Sequence, residues 1–284
     1  MLALAGGRGN RRFWGGAPAL GPDPPGHPEV SAFNVVIPAR YGSTRLPGKP
    51  LLRIGGTAMV VRVAEQARFA GADEVIVATD DERIAEAVTV AGHNAVMTDP
   101  NHGSGTDRVW EVARQRTGWE EEAVVINVQG DEPLIAPEII AQLAAAVSQA
   151  GDAGMATLCE PIASQDDLFD PNVVKVVRDA GNFALYFSRS PMPYARDGYP
   201  DATAGLWRRH IGIYGYRVRA LRRFVSLPSS ALEDAERLEQ LRALEHGMPI
   251  LALDACRPSP GGVDTPADLE RVRRLLEGAT SPTS

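Results

Sequence analysis

The sequence has few cysteines and no long apolar run, and both absences exclude classes of protein. Its 284 residues contain two cysteines, Cys159 and Cys256, so the fold does not depend on a disulfide scaffold. This usage is typical of a reducing compartment, and we expect a cytoplasmic protein. No segment approaches the roughly 18 apolar residues that a membrane-spanning helix needs. Lys and Arg number 29 against 36 Asp and Glu, a net charge of −7, which argues against binding to nucleic acid or to an anionic membrane but leaves room for one local basic pocket.

The first 30 residues differ in composition from the rest of the chain. They carry seven of the 28 glycines and five of the 22 prolines. Because these residues break helices and strands, we expect a disordered extension over residues 1–32. It has no apolar segment of the kind that a secretory signal requires. The remaining sequence has ordinary globular composition and no visible linker, so we expect one domain over residues 33–278.

From residue 33 onward, short runs rich in Val and Ile alternate with amphipathic segments of helical length. This alternation predicts an α/β fold with a mostly parallel, mixed sheet flanked by helices. The predicted strands are 34–37, 74–78, 94–97, 123–128, 155–158, 173–177, 183–188, 211–216 and 250–253. The predicted helices are 59–69, 82–91, 105–116, 137–149, 234–245 and 266–276. Ligands of such sheets bind beyond the carboxyl ends of the strands, so the loops after the first strand and after 123–128 are the places to search.

The loop after the first predicted strand concentrates positive charge. Arg40, Arg45 and Lys49 lie within ten residues, and Gly42 and Gly48 permit close backbone approach. Backbone amides with Arg and Lys form a cradle for a multiply charged anion such as a triphosphate. The loop matches neither the Walker A spacing nor GxGxxG, which disfavours an ATPase or a dinucleotide enzyme.

Two aspartates follow strand or loop segments that could face this cradle. Asp131 ends the apolar run into Gln129-Gly130-Asp131, where it could hold Mg²⁺ or simply satisfy turn amides. Asp264 precedes the last predicted helix. Thr265 and Asp268 already supply the pattern of a capping box for that helix, which favours a metal role for Asp264 over a capping role.

Several other polar residues allow both a structural and a functional interpretation. Ser104 opens the helix 105–116 as an N-cap, although its hydroxyl could also read a base edge. Strand periodicity places His210 and Tyr214 on one face, a plausible sugar surface, while a lone His is more often structural. Arg189 could bind a substrate carboxylate or a surface acid. Glu239 and Gln240 lie beside the apolar stripe of their predicted helix, where a solvated face is the default. His and Cys show no zinc-type spacing.

The chain resembles the 3-deoxy-manno-octulosonate cytidylyltransferase family in several separated motifs that occur in the right order. Such a series is far more specific than any single motif. The resembling stretches are 35–40 (VVIPAR), 43–50 (STRLPGKP), 104–106 (SGT), 127–133 (NVQGDEP), 172–177 (NVVKVV), 184–189 (ALYFSR), 210–216 (HIGIYGY), 238–242 (LEQLR) and 262–266 (GVDTP).

The resemblance implies a nucleotide-diphospho-sugar transferase fold, similar to the GT-A core, with a smaller dimerisation and sugar-binding part in the second half. It implies a homodimer that uses Mg²⁺ to transfer CMP from CTP to 3-deoxy-D-manno-octulosonate (Kdo) for lipopolysaccharide synthesis. The implied catalytic residues are Arg45, Lys49, Asp131 and Asp264. The resemblance assigns the CTP phosphates to Arg40, Arg45 and Lys49, the cytidine to Ser104, Mg²⁺ to Asp131 and Asp264, and Kdo to Gln129, Arg189, His210, Tyr214 and Glu239, with Gln240 a weaker candidate.

Two alternatives stay open at this point. One is a cytidylyltransferase for another acidic sugar, such as a sialic acid or an amino-Kdo. The other is a non-catalytic CTP-binding protein on the same fold, against which the intact Arg45, Lys49, Asp131 and Asp264 argue.

Overall fold

One mixed sheet carries strands from both halves of the chain. The computed structural model describes residues 32–42, 46–162, 164–199 and 205–280, and the side chains as far as residue 276. Arg45 and all but the last residue of the predicted extension 1–32 lie outside the described residues. The strands are β1 (Phe33–Ala39), β2 (Arg53–Ile54), β3 (Thr57–Ala58), β4 (Glu74–Thr79), β5 (Asn94–Met97), β6 (Val124–Asn127), β7 (Met155–Pro161), β8 (Lys175–Arg178), β9 (Ala184–Ser188), β10 (Arg208–Arg217) and β11 (Leu251–Asp254).

The strand order places β1 and β6 side by side in the middle of the sheet. The main sheet runs β11-β7-β10-β6-β1-β4-β5, with β8 pairing to β10 and β9 pairing to β8, while β2 and β3 form a separate hairpin. The pairs β6/β1, β1/β4, β4/β5 and β11/β7 are parallel, whereas β10 is antiparallel to β6, β7 and β8. The prediction of a mostly parallel, mixed sheet is therefore confirmed.

Helices cover both faces of the sheet, as the nearly continuous burial of the central strands requires. They are α1 (Met59–Phe69), α2 (Glu82–Val90), α3 (Gly105–Gln115), α4 (Pro137–Gln149), α5 (Gln165–Phe169), α6 (Val218–Ser226), α7 (Ala231–Glu236), α8 (Gln240–Glu245) and α9 (Pro266–Thr280). On β1, Val35 and Ile37 pack with α1, α2 and α4, while Val36 packs with α3, α6 and α8 on the other face. No helix in the described part of the chain is both long and apolar enough to cross a membrane.

The structure departs from the predicted elements mainly in the second half. Helices α5 and α6 were not predicted, and the helix predicted over 234–245 is two helices, because Arg237 between them is left-handed (φ +53°). The break has a tertiary cause. Arg189 Nε donates to the carbonyl oxygen of Glu236 at 2.7 Å, and the Glu236 carboxylate accepts from Ser188 Oγ at 2.6 Å. A contact from β9 thus ends α7 where periodicity alone predicts continuation.

Close packing of β10 against α4 requires a glycine at position 215. A Cβ there would lie 2.5 Å from Val147 Cγ2 and 2.9 Å from Ile126 Cδ1. We expect Gly215→Ala to lower the free energy of unfolding by about 1–3 kcal/mol through overpacking, measured by urea denaturation. Gly212→Ala on the same strand is the matched control, since a Cβ at Gly212 meets no atom within 4 Å. Equal stability of the two variants would contradict the packing argument.

Candidate functional site

A polar cleft lies beyond the carboxyl ends of β1 and β6, at the edge of the sheet where ligands of α/β folds bind. Its volume is about 360 Å³. Six of the twelve residues to which the resemblance assigns a role line it together: Arg40, Lys49, Ser104, Gln129, Asp131 and Asp264.

The centre of the cleft is an ion triad of one lysine and two aspartates. Lys49 Nζ lies 2.6 Å from Asp131 Oδ2 and 3.0 Å from Asp264 Oδ1. Gly48, which is left-handed (φ +66°), starts the 3-10 turn that presents Lys49. The backbone amide of Val263 donates to the carbonyl oxygen of Asp131 at 2.9 Å, which holds the two aspartate segments side by side.

The electrostatics of the triad keep Lys49 charged. Burial alone lowers the pKa of Lys49, but the charges and hydrogen bonds of Asp131 and Asp264 outweigh it, so the pKa is raised above its ordinary value. The ammonium therefore occupies the position between the two carboxylates as a full positive charge.

The donor set at this position suits a hard divalent cation. Two carboxylates converge on one cation-sized position, and Mg²⁺ is typically held by one or two carboxylates with the remaining ligands from phosphates and water. Within the described ranges, no group of three or more His, Cys, Asp or Glu side chains could hold a metal ion. The residues present therefore fit a cation shared with a phosphate ligand, and not a site made wholly of protein ligands.

The N-terminus of α3 forms the opposite wall. Ser104 caps the helix in a capping box with Asp107: Ser104 Oγ accepts from the Asp107 amide at 3.1 Å, and Asp107 Oδ2 accepts from the Ser104 amide at 3.1 Å. The capping interpretation of Ser104 is thus confirmed. Below it, buried Arg108 donates to Asp80 Oδ2 at 2.8 Å, so Asp80 is an ion-pair partner and only Asp81 caps α2.

A second polar cluster lies next to the α3 terminus, on the face of the sheet that packs with α3. Thr106 Oγ1 donates to Glu239 Oε2 at 2.9 Å. Tyr214 is cross-strand neighbour to Asn127, and the rings of His210 and Tyr214 lie 5.3 Å apart. Among described residues, Glu239 Oε1, Tyr214 Oη and Asn127 Oδ1 are buried and have no hydrogen-bond partner.

Burial controls the ionisation of this cluster. It raises the pKa of Glu239, a shift that the hydrogen bonds of Ser104 and Thr106 oppose. It also raises the pKa of Tyr214, and the nearby Tyr216 and Glu239 add to that shift. Neutral hydroxyl and ring groups therefore lie beside Glu239, together with the charged guanidinium of Arg242, whose Nη2 lies 3.9 Å from Glu239 Oε1.

The remaining predicted sugar-binding residues behave differently. Among the residues that the structure describes, the Arg189 guanidinium bonds no surface acid; it donates to the carbonyl oxygens of Glu236 (2.7 Å), Pro171 (2.9 Å) and Arg237 (3.4 Å). These bonds fix the turn that leads to Glu239. Gln240 is only 6% exposed, so the solvated face that spacing predicts is wrong for Gln240. Glu239, whose side chain is 32% exposed, is only partly buried.

Sequence reasoning missed three residues of the site. Thr106 carried a signal, since it stands beside the cap in the stretch Ser104-Gly105-Thr106. Glu132 follows Asp131 directly, and burial first, then the charge of Asp131, raises its pKa to about 7. Thr157 contacts His210, 53 positions away, and no local pattern announces such a contact.

Fold and cleft together define the class as a nucleotidyltransferase, and residues 34–250 match the family model described as Cytidylyltransferase. The chain belongs to the 3-deoxy-manno-octulosonate cytidylyltransferase family. It is 55% identical over 252 residues to the curated member from Pseudomonas fluorescens (strain Pf-5), covering 87% of this chain and 99% of that protein.

Solved structures agree with this assignment. The structure of CMP:2-keto-3-deoxy-manno-octonic acid synthetase complexed with CTP superposes with a TM-score of 0.80 at 45% identity, covering 88% of this chain and 100% of that one. A cytidylyltransferase from Leptospira borgpetersenii superposes with a TM-score of 0.57 at 17% identity, covering 88% of each chain, and supports the fold alone. The fold predicted from the resemblance is confirmed.

The burial of His210 predicts a pH-dependent stability. Burial lowers its pKa to about 3, from an ordinary value of 6.5. Between these values the unfolded chain binds a proton that the folded protein does not, so stability falls as the pH falls through this window. We expect unfolding free energy to drop more between pH 7 and pH 5 in the wild type than in His210→Gln, by up to about 2 kcal/mol. Urea denaturation at both pH values measures it, and an unchanged pH dependence in the variant would contradict it.

Proposed function

We propose that this chain transfers CMP from CTP to the anomeric hydroxyl of Kdo, releasing pyrophosphate and forming CMP-Kdo for lipopolysaccharide synthesis. One observation carries the proposal in the structure: the ion triad of Lys49, Asp131 and Asp264 shares a cleft with the α3 N-terminus, and a buried polar cluster adjoins it. Family membership supports the same reaction.

We assign the nucleotide to the cleft. Arg40 and Lys49, with Arg45 outside the described residues, would neutralise the CTP phosphates. Ser104 keeps its hydroxyl on the cap, so we expect the helix terminus that it forms to contribute to recognition of the cytidine through backbone amides.

We assign Mg²⁺ to Asp131 and Asp264, whose oxygens converge on Lys49 Nζ in the structure. Bound Mg²⁺ would therefore replace the ammonium between the two carboxylates. When bound, Mg²⁺ would supply neutralisation of phosphate charge and acidification of the attacking hydroxyl. The protein's own part is to hold the two carboxylates in place and to keep the Lys49 ammonium beside the phosphates.

We assign the sugar to the second cluster, with Gln129, Arg189, His210, Tyr214 and Glu239 as its binding residues and Gln240 behind them. Buried polar atoms without partners are costly unless a ligand or water satisfies them, and a polyhydroxylated acid offers both donors and acceptors. Kdo's anomeric hydroxyl would attack the α-phosphorus in line, and pyrophosphate would leave. Catalysis would then rest mainly on positioning and charge neutralisation.

We also propose a cytoplasmic homodimer. Large apolar side chains are exposed in the second half of the chain, among them Leu185 (61%), Tyr194 (78%) and Leu206 (56%). Such side chains suit burial against a second copy. A sedimentation mass of one chain would refute the dimer.

The exposed thiol of Cys256 suits a reducing compartment.

Removing either carboxylate charge is expected to slow the reaction. Asp131→Asn and Asp264→Asn should each reduce turnover at least about tenfold, or ~1.4 kcal/mol of barrier, because each loses a charged ligand for the cation. Pyrophosphate release with CTP, Kdo and Mg²⁺ measures turnover. Asp166→Asn on exposed α5 is the matched control and should keep the wild-type rate. Near-wild-type rates in both site variants would refute the two-carboxylate site.

A panel of acceptors tests the substrate. We expect pyrophosphate release from CTP to be most efficient, by kcat/KM, with Kdo, against sialic acid and an amino-Kdo as competitors. Higher kcat/KM with another acid would favour the alternative sugar. Binding of CTP without release for any acceptor would favour the non-catalytic alternative.

A further inference from the structure

Strand β10 contains an irregularity in the middle of the second polar cluster. Ile211 pairs with Leu158 on β7, but the next pair is Tyr214 with Thr157. Three steps along β10 therefore match one step along β7, so Gly212 and Ile213 have no register partner on β7. Such a bulge redirects the side chains on either side of it, and here those side chains are His210 and Tyr214.

The side chain of Thr157 fills the gap that the bulge opens. Thr157 is fully buried. Its Oγ1 lies 2.7 Å from the carbonyl oxygen of Ile213, 3.2 Å from that of Ile211 and 2.9 Å from His210 Nε2. One hydroxyl thus contacts two bulge carbonyls and one imidazole nitrogen.

The hydroxyl has one hydrogen to share among these three neighbours. Carbonyl oxygens can only accept, and the shortest of the three contacts is to the Ile213 carbonyl. When Thr157 donates there, the interaction with His210 requires the ring to donate from Nε2. The hydrogen bond at one ring nitrogen determines which nitrogen carries the proton, so Nδ1 is left with a free lone pair.

The surroundings of His210 hold the ring in this state. Its lowered pKa of about 3 keeps the ring neutral at physiological pH, so it is a hydrogen-bonding group and a poor general base. Edge-to-face contact with Phe187 at 5.0 Å and contact with Tyr214 at 5.3 Å fix its plane. Within the described part of the chain, His210 Nδ1 makes no hydrogen bond, and the hydroxyl groups of a sugar are natural donors to it.

We propose that Thr157 is a positioning residue: its hydroxyl holds His210 in the Nε2–H tautomer and thereby keeps Nδ1 available to accept a hydrogen bond from a hydroxyl of the acidic sugar. The inference deepens the proposed function and rests on it for the identity of the sugar. The tautomer itself is a property of the protein without ligand.

The first test is the nitrogen NMR spectrum of ¹⁵N-histidine-labelled protein without substrate. His210→Gln identifies the His210 signals among those of the five histidines. We expect a protonated Nε2 and an unprotonated Nδ1 in the wild type, and loss of this single-tautomer signature in Thr157→Val. Thr157→Ser keeps the hydroxyl and should restore the signature. A wild-type ring protonated at Nδ1 would overturn the inference. This outcome is read from the wild-type spectrum, so it does not depend on whether a variant of Thr157 folds.

The second test separates positioning from general support of the fold. For folded Thr157→Val we expect the KM for Kdo to rise about five- to tenfold, the change that corresponds to the loss of one hydrogen bond. The KM for CTP should stay within about twofold of the wild-type value. Thr157→Ser should recover the wild-type KM for Kdo. Equal loss toward both substrates, no loss at all, or no recovery in the Ser variant would each overturn the positioning role.

The two tests also separate this inference from the proposed reaction. A wild-type protein that releases no pyrophosphate with Kdo refutes the proposed function. In that case the substrate-free spectra still decide whether Thr157 sets the tautomer of His210.

Discussion

The position of Lys49 between Asp131 and Asp264 is the interaction on which the cleft depends. These residues are 82 and 215 positions apart from Lys49 in the chain, so the triad joins the loop after β1, the loop after β6 and the entry to α9. Two carboxylates brought together without a cation would repel each other by several kcal/mol, about 4 kcal/mol for charges 4 Å apart at an effective dielectric constant of 20. Lys49 offsets this repulsion, so the acidic pair is already in place before any ligand arrives.

The parts of the structure that the sequence predicts are those governed by local patterns. Buried parallel strands are continuous apolar runs, so the central sheet and the residues at its carboxyl edge, such as Lys49 and Asp131, could be placed from periodicity and the rule for ligand sites. The misses come from long-range contacts. Arg189 ends α7 by donating a hydrogen bond to the backbone carbonyl oxygen of Glu236, and Thr157 stabilises the bulge in β10 by donating to the carbonyl oxygen of Ile213. The two partners lie 47 positions apart in the first contact and 56 positions apart in the second, so no local sequence pattern includes both.

The cleft and the second polar cluster differ in their electrostatics. The cleft uses full charges that neutralise one another, which suits a ligand whose charge is concentrated on phosphates. The second cluster keeps His210 and Tyr214 neutral by burial, and in the described part of the chain its buried atoms Tyr214 Oη, Asn127 Oδ1 and Glu239 Oε1 have no hydrogen-bond partner. A buried, unpaired polar atom favours a ligand that pairs it and penalises one that does not. Discrimination between acidic sugars is therefore expected to arise in this second cluster more than in the cleft.

Charge balance in the cleft is an argument for the proposed Mg²⁺. Lys49 with Asp131 and Asp264 sums to one negative charge, and the charge of Arg108 is already balanced by Asp80. Arg40, which also lines the cleft, brings the sum of these charges to zero. A polyphosphate entering this set of charges meets two carboxylates that its oxygens repel, and a sum of zero leaves no net positive charge to offset that repulsion. A divalent cation held by Asp131 and Asp264, as proposed above, would turn the most repulsive part of the cleft into a binding position for phosphate oxygens.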